Sequence, residues 1–176
     1  PQSLEQLLKL KRDRVMAILQ RDQPVFVGLT ELVEKLSRVC RLGLASGSER
    51  AVVDAVLSLR DLRRHFSATV SVSEVHRGKP DPEMFLRTAE LLKVAPVECW
   101  VVEDSKPGVS AALAAGMRVI AITNTHPADE LQRATVVVAL TATDDDLTVR
   151  RTISAGFRAY LTKHLRLSAL SRALRS

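Results

Sequence analysis

From residue 25 onward, short apolar runs alternate with longer amphipathic segments, and this alternation restricts the folds that the chain can adopt. Short apolar runs bounded by turn residues are typical of buried strands, whereas apolar residues three and four apart are typical of helices. Strands that alternate regularly with helices form a mostly parallel sheet with helices on both faces. The sequence therefore predicts an α/β protein of three layers.

The pattern predicts five strands and six helices before residue 146. The strands are expected at residues 42–45, 68–72, 99–102, 118–123 and 135–140. The helices are expected at residues 3–20, 30–38, 49–59, 82–92, 109–115 and 128–133. Thr30 and Asp81 are the expected N-caps of the second and fourth helices, and Gly116 is suited to the end of the fifth.

The net charge of +6 is concentrated in the last part of the chain. Residues 147–176 contain seven Arg or Lys and no Asp or Glu, so residues 1–146 are close to neutral. A basic tail with few aromatic residues is a weak nucleic-acid signal, and we expect no nucleic-acid partner. No apolar run is long enough to span a bilayer. Cys40 and Cys99 are interpreted as buried thiols of a reducing compartment such as the cytoplasm.

Residues 149–175 carry apolar residues at near-helical spacing among the arginines, which predicts a basic amphipathic helix. Such a helix could dock on the rest of the chain, pair with another chain or contact an anionic membrane surface. It could equally be a partly ordered terminal helix. The sequence leaves these alternatives open.

Two adjacent carboxylates, Glu103 and Asp104, follow the apolar run 99–102 where the third strand is expected to end. Ligands of α/β folds bind at the carboxyl ends of strands, and paired carboxylates there are suited to a hard cation such as Mg²⁺. The alternative is an exposed acidic turn without a ligand. This stretch by itself does not choose between the two.

Two other turns are also candidates for ligand binding. Ser46, Gly47 and Ser48 directly follow the first strand, where hydroxyl and backbone N–H groups can hold an anion. The same residues also suit an ordinary turn in which Ser48 caps the next helix. Lys79 lies among prolines that stiffen the turn before the fourth helix, although these prolines could serve the helix alone.

Three motifs occur in a fixed order, at Leu44–Ser48, Gly78–Phe85 and Val101–Met117. Together they resemble the haloacid dehalogenase-like phosphohydrolases, in particular the branch that contains β-phosphoglucomutase and phosphoglycolate phosphatase. The resemblance covers about residues 1–146 and implies a Rossmann-like core. It also implies Mg²⁺-dependent hydrolysis of a small phosphorylated metabolite, or phosphoryl transfer by a phosphomutase.

In this family a carboxylate attacks phosphorus and forms an aspartyl-phosphate, which water then hydrolyses. The resemblance assigns the Ser46 hydroxyl and the Gly47 N–H to the transferring phosphate. It places the Lys79 ammonium between phosphate and nucleophile, where it lowers their repulsion. It makes Asp104 a direct Mg²⁺ ligand and Glu103 a ligand either directly or through water.

The family's first motif is an Asp-x-Asp that supplies the nucleophile and the general acid/base, and no apolar strand of this sequence precedes one. Residues 144–146 are aspartates, but they follow the last predicted strand, so the role is not transferred to them. We expect residues 1–22 to be the remnant of a helical cap and residues 23–146 to be a core lacking its first strand. Residues 147–176 are the basic tail.

The family places the missing strand between the first and third predicted strands. Without it, two strands keep unpaired edges that either pair with each other or accept another segment or chain. We therefore expect low stability and self-association through the incomplete sheet or the basic tail. We also expect the chain to be inactive as it stands. The alternative is a non-catalytic phosphate- or metal-binding or interaction protein derived from such a phosphatase.

Overall fold

The computed structural model describes residues 3–22, 28–123, 125–141 and 159–162, and it confirms the α/β class with parallel strands. The helices are α1 (Leu4–Asp22), α2 (Leu29–Ser37), α3 (Arg50–Ser58), α4 (Glu83–Leu92) and α5 (Lys106–Ala114). The strands are β1 (Leu42–Ser46), β2 (Phe66–Ser71), β3 (Trp100–Glu103), β4 (Arg118–Ile122), β5 (Val136–Thr141) and β6 (Ala159–Thr162). The predicted alternation is thus present, and a short 3₁₀ turn stands in place of the sixth predicted helix.

The chain divides into two compact units, Pro1–Glu74 and Val75–Ser176. In the first unit, β1 and β2 form a parallel pair, with Leu44 opposite Thr69. Its core consists of buried aliphatic side chains from α2, α3 and the turn before β2. They are Val33, Val53, Leu57 and Leu62, against which Leu29, Leu42, Leu44 and Phe66 pack. Burial of such side chains contributes about 1.5–3 kcal/mol each.

A hydrogen-bonded cluster at the end of β2 fixes the first unit's last turn. The Glu74 carboxylate accepts the Ser71 amide at 2.9 Å and the Ser71 hydroxyl at 2.7 Å, and it is ion-paired with Arg50. Arg50 also donates to the Thr69 hydroxyl and carbonyl, each at 3.0 Å. The Ser71 amide and hydroxyl, followed by Arg50, hold the pKa of Glu74 down to about 2. The cluster therefore depends on an ionised Glu74.

Replacing Glu74 by glutamine is expected to lower the free energy of unfolding at pH 7 by about 2 kcal/mol, because charge-assisted hydrogen bonds are lost. Because folding lowers the pKa of Glu74 from 4.5 to about 2, this stabilisation is fully present above pH 4.5 and is lost as the pH falls toward 2. Urea unfolding is expected to show that Glu74→Gln lowers the free energy of unfolding at pH 7 but leaves it nearly unchanged at about pH 2. The exposed Glu98→Gln is the control, and an equal difference at both pH values would contradict the assignment.

In the second unit, β3, β4, β5 and β6 form one parallel sheet in that order. Small and branched side chains of α5 and β4 fill its core, since Ala111, Ala112 and Val119 are fully buried. Helix α5 ends as predicted, with Gly116 just beyond it at a φ of 75°, in the left-handed region that favours glycine. These elements hold the turn between β3 and α5 in place.

Strand β3 is buried on one face only, although the short apolar run 99–102 is typical of a buried strand. Val101 and Glu103 are buried, but Trp100 and Val102 on the opposite face remain 46% and 61% exposed. Alternation along a strand places these two sets on opposite faces, and Gly108 of α5 lies against the Glu103 face. Within the described residues, β3 pairs with β4 only and β1 with β2 only.

Helices α1 to α4 each start one residue from the predicted position, and α5 starts three residues before it. Helix α2 begins at Leu29 because Gly28, with a φ of 80°, takes the N-cap position that was expected for Thr30. The Gly28 carbonyl accepts the Leu32 amide at 2.9 Å. Helix α4 begins one residue later than expected, with Pro82 at its N-cap. Asp81, the predicted N-cap, still accepts a hydrogen bond from the first turn, because its Oδ1 lies 3.0 Å from the Glu83 amide nitrogen.

The predicted helix in the basic tail is wrong at residues 159–162, which form β6 beside β5. The backbone of β6 continues the sheet in parallel, with Ala159 opposite Val138 and Thr162 opposite Thr141. Tyrosine and threonine favour strands, and ladder hydrogen bonds replace helical ones there. The remainder of the predicted helix and the aspartates 144–146 lie outside the described residues.

Cys40 and Cys99 are both free thiols. Cys40 is exposed, contrary to expectation, because it lies in the surface turn after α2. Cys99 is half-buried, and this burial raises the pKa of its thiol. The compartment stays a prediction. Among the helices of the described ranges, none combines the length and the apolar character that crossing a membrane requires.

Candidate functional site

A buried ion pair joins the Gly78–Phe85 motif to the end of β3. Lys79 Nζ contacts Glu103 Oε1, and the two side chains are only 16% and 8% exposed. The ammonium also lies over the ring of Phe85, 4.8 Å from its centroid, a favourable cation–π arrangement. Lys79 is therefore held between a carboxylate and an aromatic face.

The second oxygen of Glu103 is bound by the turn that follows it. Glu103 Oε2 accepts the Asp104 and Ser105 amides, each at 3.2 Å, and the Ser105 hydroxyl at 2.9 Å. The same hydroxyl accepts the Gly108 amide at 3.1 Å and so caps α5. A Cβ at Gly108 would overlap the carboxyl group of Glu103. The absence of a side chain there lets the carboxylate lie against the helix N-terminus, which favours negative charge.

Glu83 holds the loop before Lys79 from the first turn of α4. Its carboxylate accepts the His76 amide at 2.8 Å and the Arg77 amide at 2.9 Å. These two bonds keep the pKa of Glu83 below its ordinary value. The Lys79–Pro80 peptide bond is cis. The expected rigidity of this loop therefore involves a carboxylate in addition to the prolines.

Asp104 lies at the carboxyl end of β3 and is contacted by the loop that follows β4. Its Oδ2 accepts a hydrogen bond from the Thr125 hydroxyl. Its backbone carbonyl lies 3.2 Å from His126 Nδ1.

Ser46 and Gly47 lie in the first unit, at the end of β1. The Ser46 hydroxyl oxygen accepts the Ser48 amide at 3.2 Å. Ser48 does not cap α3, because Glu49 occupies the N-cap position without a side-chain bond. No atom lies within 4 Å of the position that a Cβ would take at Gly47. This turn thus leaves space beside the glycine backbone, as an anion-binding turn requires.

Of the predicted site residues, the second unit brings Lys79, Glu103 and Asp104 together, whereas Ser46 and Gly47 belong to the first unit. Thr125 and Ser105 were not among the predicted site residues. Their positions offered one signal, since each follows one of two adjacent strands, β3 and β4, whose carboxyl ends share an edge. The ligand and catalytic roles of all five predicted residues stay predictions.

The described residues contain no group of three or more His, Cys, Asp or Glu side chains arranged to hold a metal ion. Hydrogen-bond donors occupy both oxygens of Glu103.

The sequence is similar to those of known proteins. The model of the haloacid dehalogenase-like hydrolases matches residues 2–116. Hexitol phosphatase B of Escherichia coli is 35% identical over 68% of this chain and 52% of its own length. The phosphorylated carbohydrates phosphatase of Thermotoga maritima is 36% identical over 62% of this chain and 50% of its own. The chain thus spans about half the length of these two relatives.

The fold is also similar to that of solved structures. The β-phosphoglucomutase of Clostridium difficile superposes with a TM-score of 0.65, covering 87% of this chain and 69% of that protein. The two sequences are 21% identical, so this likeness concerns the fold alone.

Proposed function

The chain belongs to the haloacid dehalogenase-like hydrolases, and from this membership we propose that it carries the phosphate- and metal-binding part of a phosphomonoester hydrolase. The observation that supports this proposal best is the buried Lys79–Glu103 pair beside Asp104 at the carboxyl end of β3. A cation and carboxylates at this edge suit a reaction whose transition state spreads negative charge over phosphoryl oxygens. The substrate class is a small phosphorylated metabolite.

Each group has a role in this proposal. The Lys79 ammonium faces the transferring phosphate, and Glu103 together with the Phe85 ring fixes its direction. Asp104 holds Mg²⁺ directly, and Glu103 reaches it through water, because the oxygens of Glu103 are already bound by the protein. When bound, the cation supplies positive charge to the phosphate oxygens. In the first unit, the Ser46 hydroxyl and the Gly47 N–H bind phosphate oxygens.

This sequence lacks the nucleophilic aspartate at the place where the family carries it. Hydrolysis through an aspartyl-phosphate needs the Asp-x-Asp carboxylates, and no such motif follows an apolar strand here. We therefore propose that the 176-residue chain by itself releases no phosphate, although it retains the binding groups. Self-association through the incomplete sheet or the basic tail stays a prediction.

Release of phosphate from p-nitrophenyl phosphate with Mg²⁺ tests this proposal. We expect no turnover by the chain alone, and turnover once a strand ending in Asp-x-Asp is joined to its N-terminus. Replacing Asp104 by asparagine in that completed protein is expected to lower kcat/KM at least about 100-fold, because stabilisation of the phosphoryl charge is lost. Sugar and polyol phosphates are the first compounds to compare, given the names of the two relatives.

Turnover by the 176-residue chain itself, abolished by Asp104→Asn, would contradict the claim that it lacks a nucleophile. The absence of Asp-x-Asp also supports the second candidate, a protein that binds phosphate or metal without catalysis. That candidate is favoured if the completed protein still binds metal but releases no phosphate.

A further inference from the structure

The loop after β4 contacts Asp104 at two points, one on its side chain and one on its backbone. Thr125 Oγ1 is hydrogen-bonded to Asp104 Oδ2, and His126 Nδ1 lies 3.2 Å from the Asp104 carbonyl oxygen. The register of the sheet explains why two residues so distant in sequence meet. Glu103 is opposite Ala121 in the parallel pair of β3 and β4, so the two loops leave the same edge together.

The direction of both hydrogen bonds follows from the chemistry of the groups. An ionised carboxylate only accepts hydrogen bonds, so the Thr125 hydroxyl is the donor and donates its one hydrogen to Asp104. A carbonyl oxygen also only accepts, so His126 Nδ1 must carry a proton to bond with it. The two contacts therefore restrain the Asp104 carboxylate and its backbone independently of each other.

These restraints act differently on the two carboxylate oxygens. Oδ2 is held by Thr125, and rotation of the carboxylate about its Cβ–Cγ bond is thereby limited. No donor from the described ranges reaches Oδ1. A carboxylate fixed through one oxygen presents the other in a constant direction, as the outer-shell partners of metal ligands do.

We propose that Thr125 is a positioning residue that orients the Asp104 carboxylate for a divalent cation, with His126 fixing the backbone of the same residue. This inference rests on the proposed function, because it takes Asp104 to be the metal ligand. On this inference the loop after β4 contributes to metal affinity, although none of the three sequence motifs includes that loop.

Binding of Mn²⁺ to the 176-residue chain, followed by electron paramagnetic resonance of the free ion, tests this inference without any measurement of activity. Thr125→Val keeps the shape of the side chain but removes the donor, and it is expected to weaken Mn²⁺ binding about tenfold. Thr125→Ser keeps the hydroxyl, and its affinity is expected within about twofold of the unaltered chain. Thr125 is exposed, so the metal-free melting temperatures of both variants are expected to match.

The outcomes separate this inference from the function on which it rests. If the unaltered chain binds Mn²⁺, and Asp104→Asn abolishes that binding, equal affinity in Thr125→Val overturns the positioning role alone. A loss in Thr125→Ser as large as in Thr125→Val also overturns it, because the hydroxyl would then not be the cause. Failure of the unaltered chain to bind Mn²⁺ overturns both the metal site and the positioning role.

Discussion

Replacing Lys79 by methionine is expected to lower the free energy of unfolding by about 3 kcal/mol. The change leaves the Glu103 carboxylate, whose side chain is 8% exposed, without its ammonium partner. Loss of one partner of a buried ion pair typically costs about 3–5 kcal/mol. The lower end applies here because the amides of residues 104 and 105 and the Ser105 hydroxyl still bind the carboxylate. Urea unfolding monitored by circular dichroism measures the difference.

Two further variants identify the cause of this effect. The exposed Lys106→Met removes a lysine at the start of α5 and is expected to change stability by less than about 0.5 kcal/mol. In the double variant with Glu103→Gln, the buried charge is gone, so methionine at position 79 is expected to cost much less. If Lys79→Met costs the same free energy with the Glu103→Gln change as without it, the ion pair is not what stabilises this region.

Replacing Gly108 by alanine is expected to destabilise the chain by about 2 kcal/mol, although it lies inside a helix. Alanine in place of glycine ordinarily stabilises a helix by about 1 kcal/mol. Here the new Cβ would overlap the Glu103 carboxyl group and force it away from Lys79 and Ser105. Overpacking of this kind costs about 1–3 kcal/mol, and the broken hydrogen bonds add to it. Equilibrium unfolding in urea again gives the measurement.

The sign of the Gly108→Ala effect depends on the Glu103 side chain, and this dependence provides the sharpest control. In a Glu103→Ala background the overlap is absent, so Gly108→Ala is expected to stabilise the chain through helix propensity. Gly47→Ala, at a glycine with no atom within 4 Å of the added Cβ, is expected to be nearly neutral. Stabilisation by Gly108→Ala with Glu103 intact would show that the carboxylate moves aside freely.

The elements of the fold could largely be predicted from the sequence, because periodicity and turn chemistry act locally. The strand that ends at Glu103 and the helix end marked by Gly116 both depend on neighbouring residues, and both are present. The start of α2 was misplaced because Gly28 competes with Thr30 for the cap position. The strand at residues 159–162 was missed because its hydrogen bonds come from β5, which is distant in sequence.

The candidate site could be predicted only as a set of residue types. Motif order indicated Lys79, Glu103 and Asp104, and the ion pair brings two of them into contact. The occupation of both Glu103 oxygens depends on the path of the turn through residues 104 and 105. The bond from Thr125 depends on the register of β4 against β3. Hydrophobic periodicity indicates which face of a strand or helix a residue lies on. It does not indicate the path of a turn or the register between strands, and so it does not predict contacts between residues distant in sequence.

Trp100 is the single tryptophan of the chain, and it lies three residues before Glu103 on the exposed face of β3. The Arg118 guanidinium of β4 stacks over its indole, 5.2 Å from the ring centroid. Intrinsic tryptophan fluorescence therefore originates entirely from the β3–β4 pair of the second unit, and the first unit contributes none. Comparison of its emission with a signal from the whole backbone would show whether the two units melt together or in separate steps.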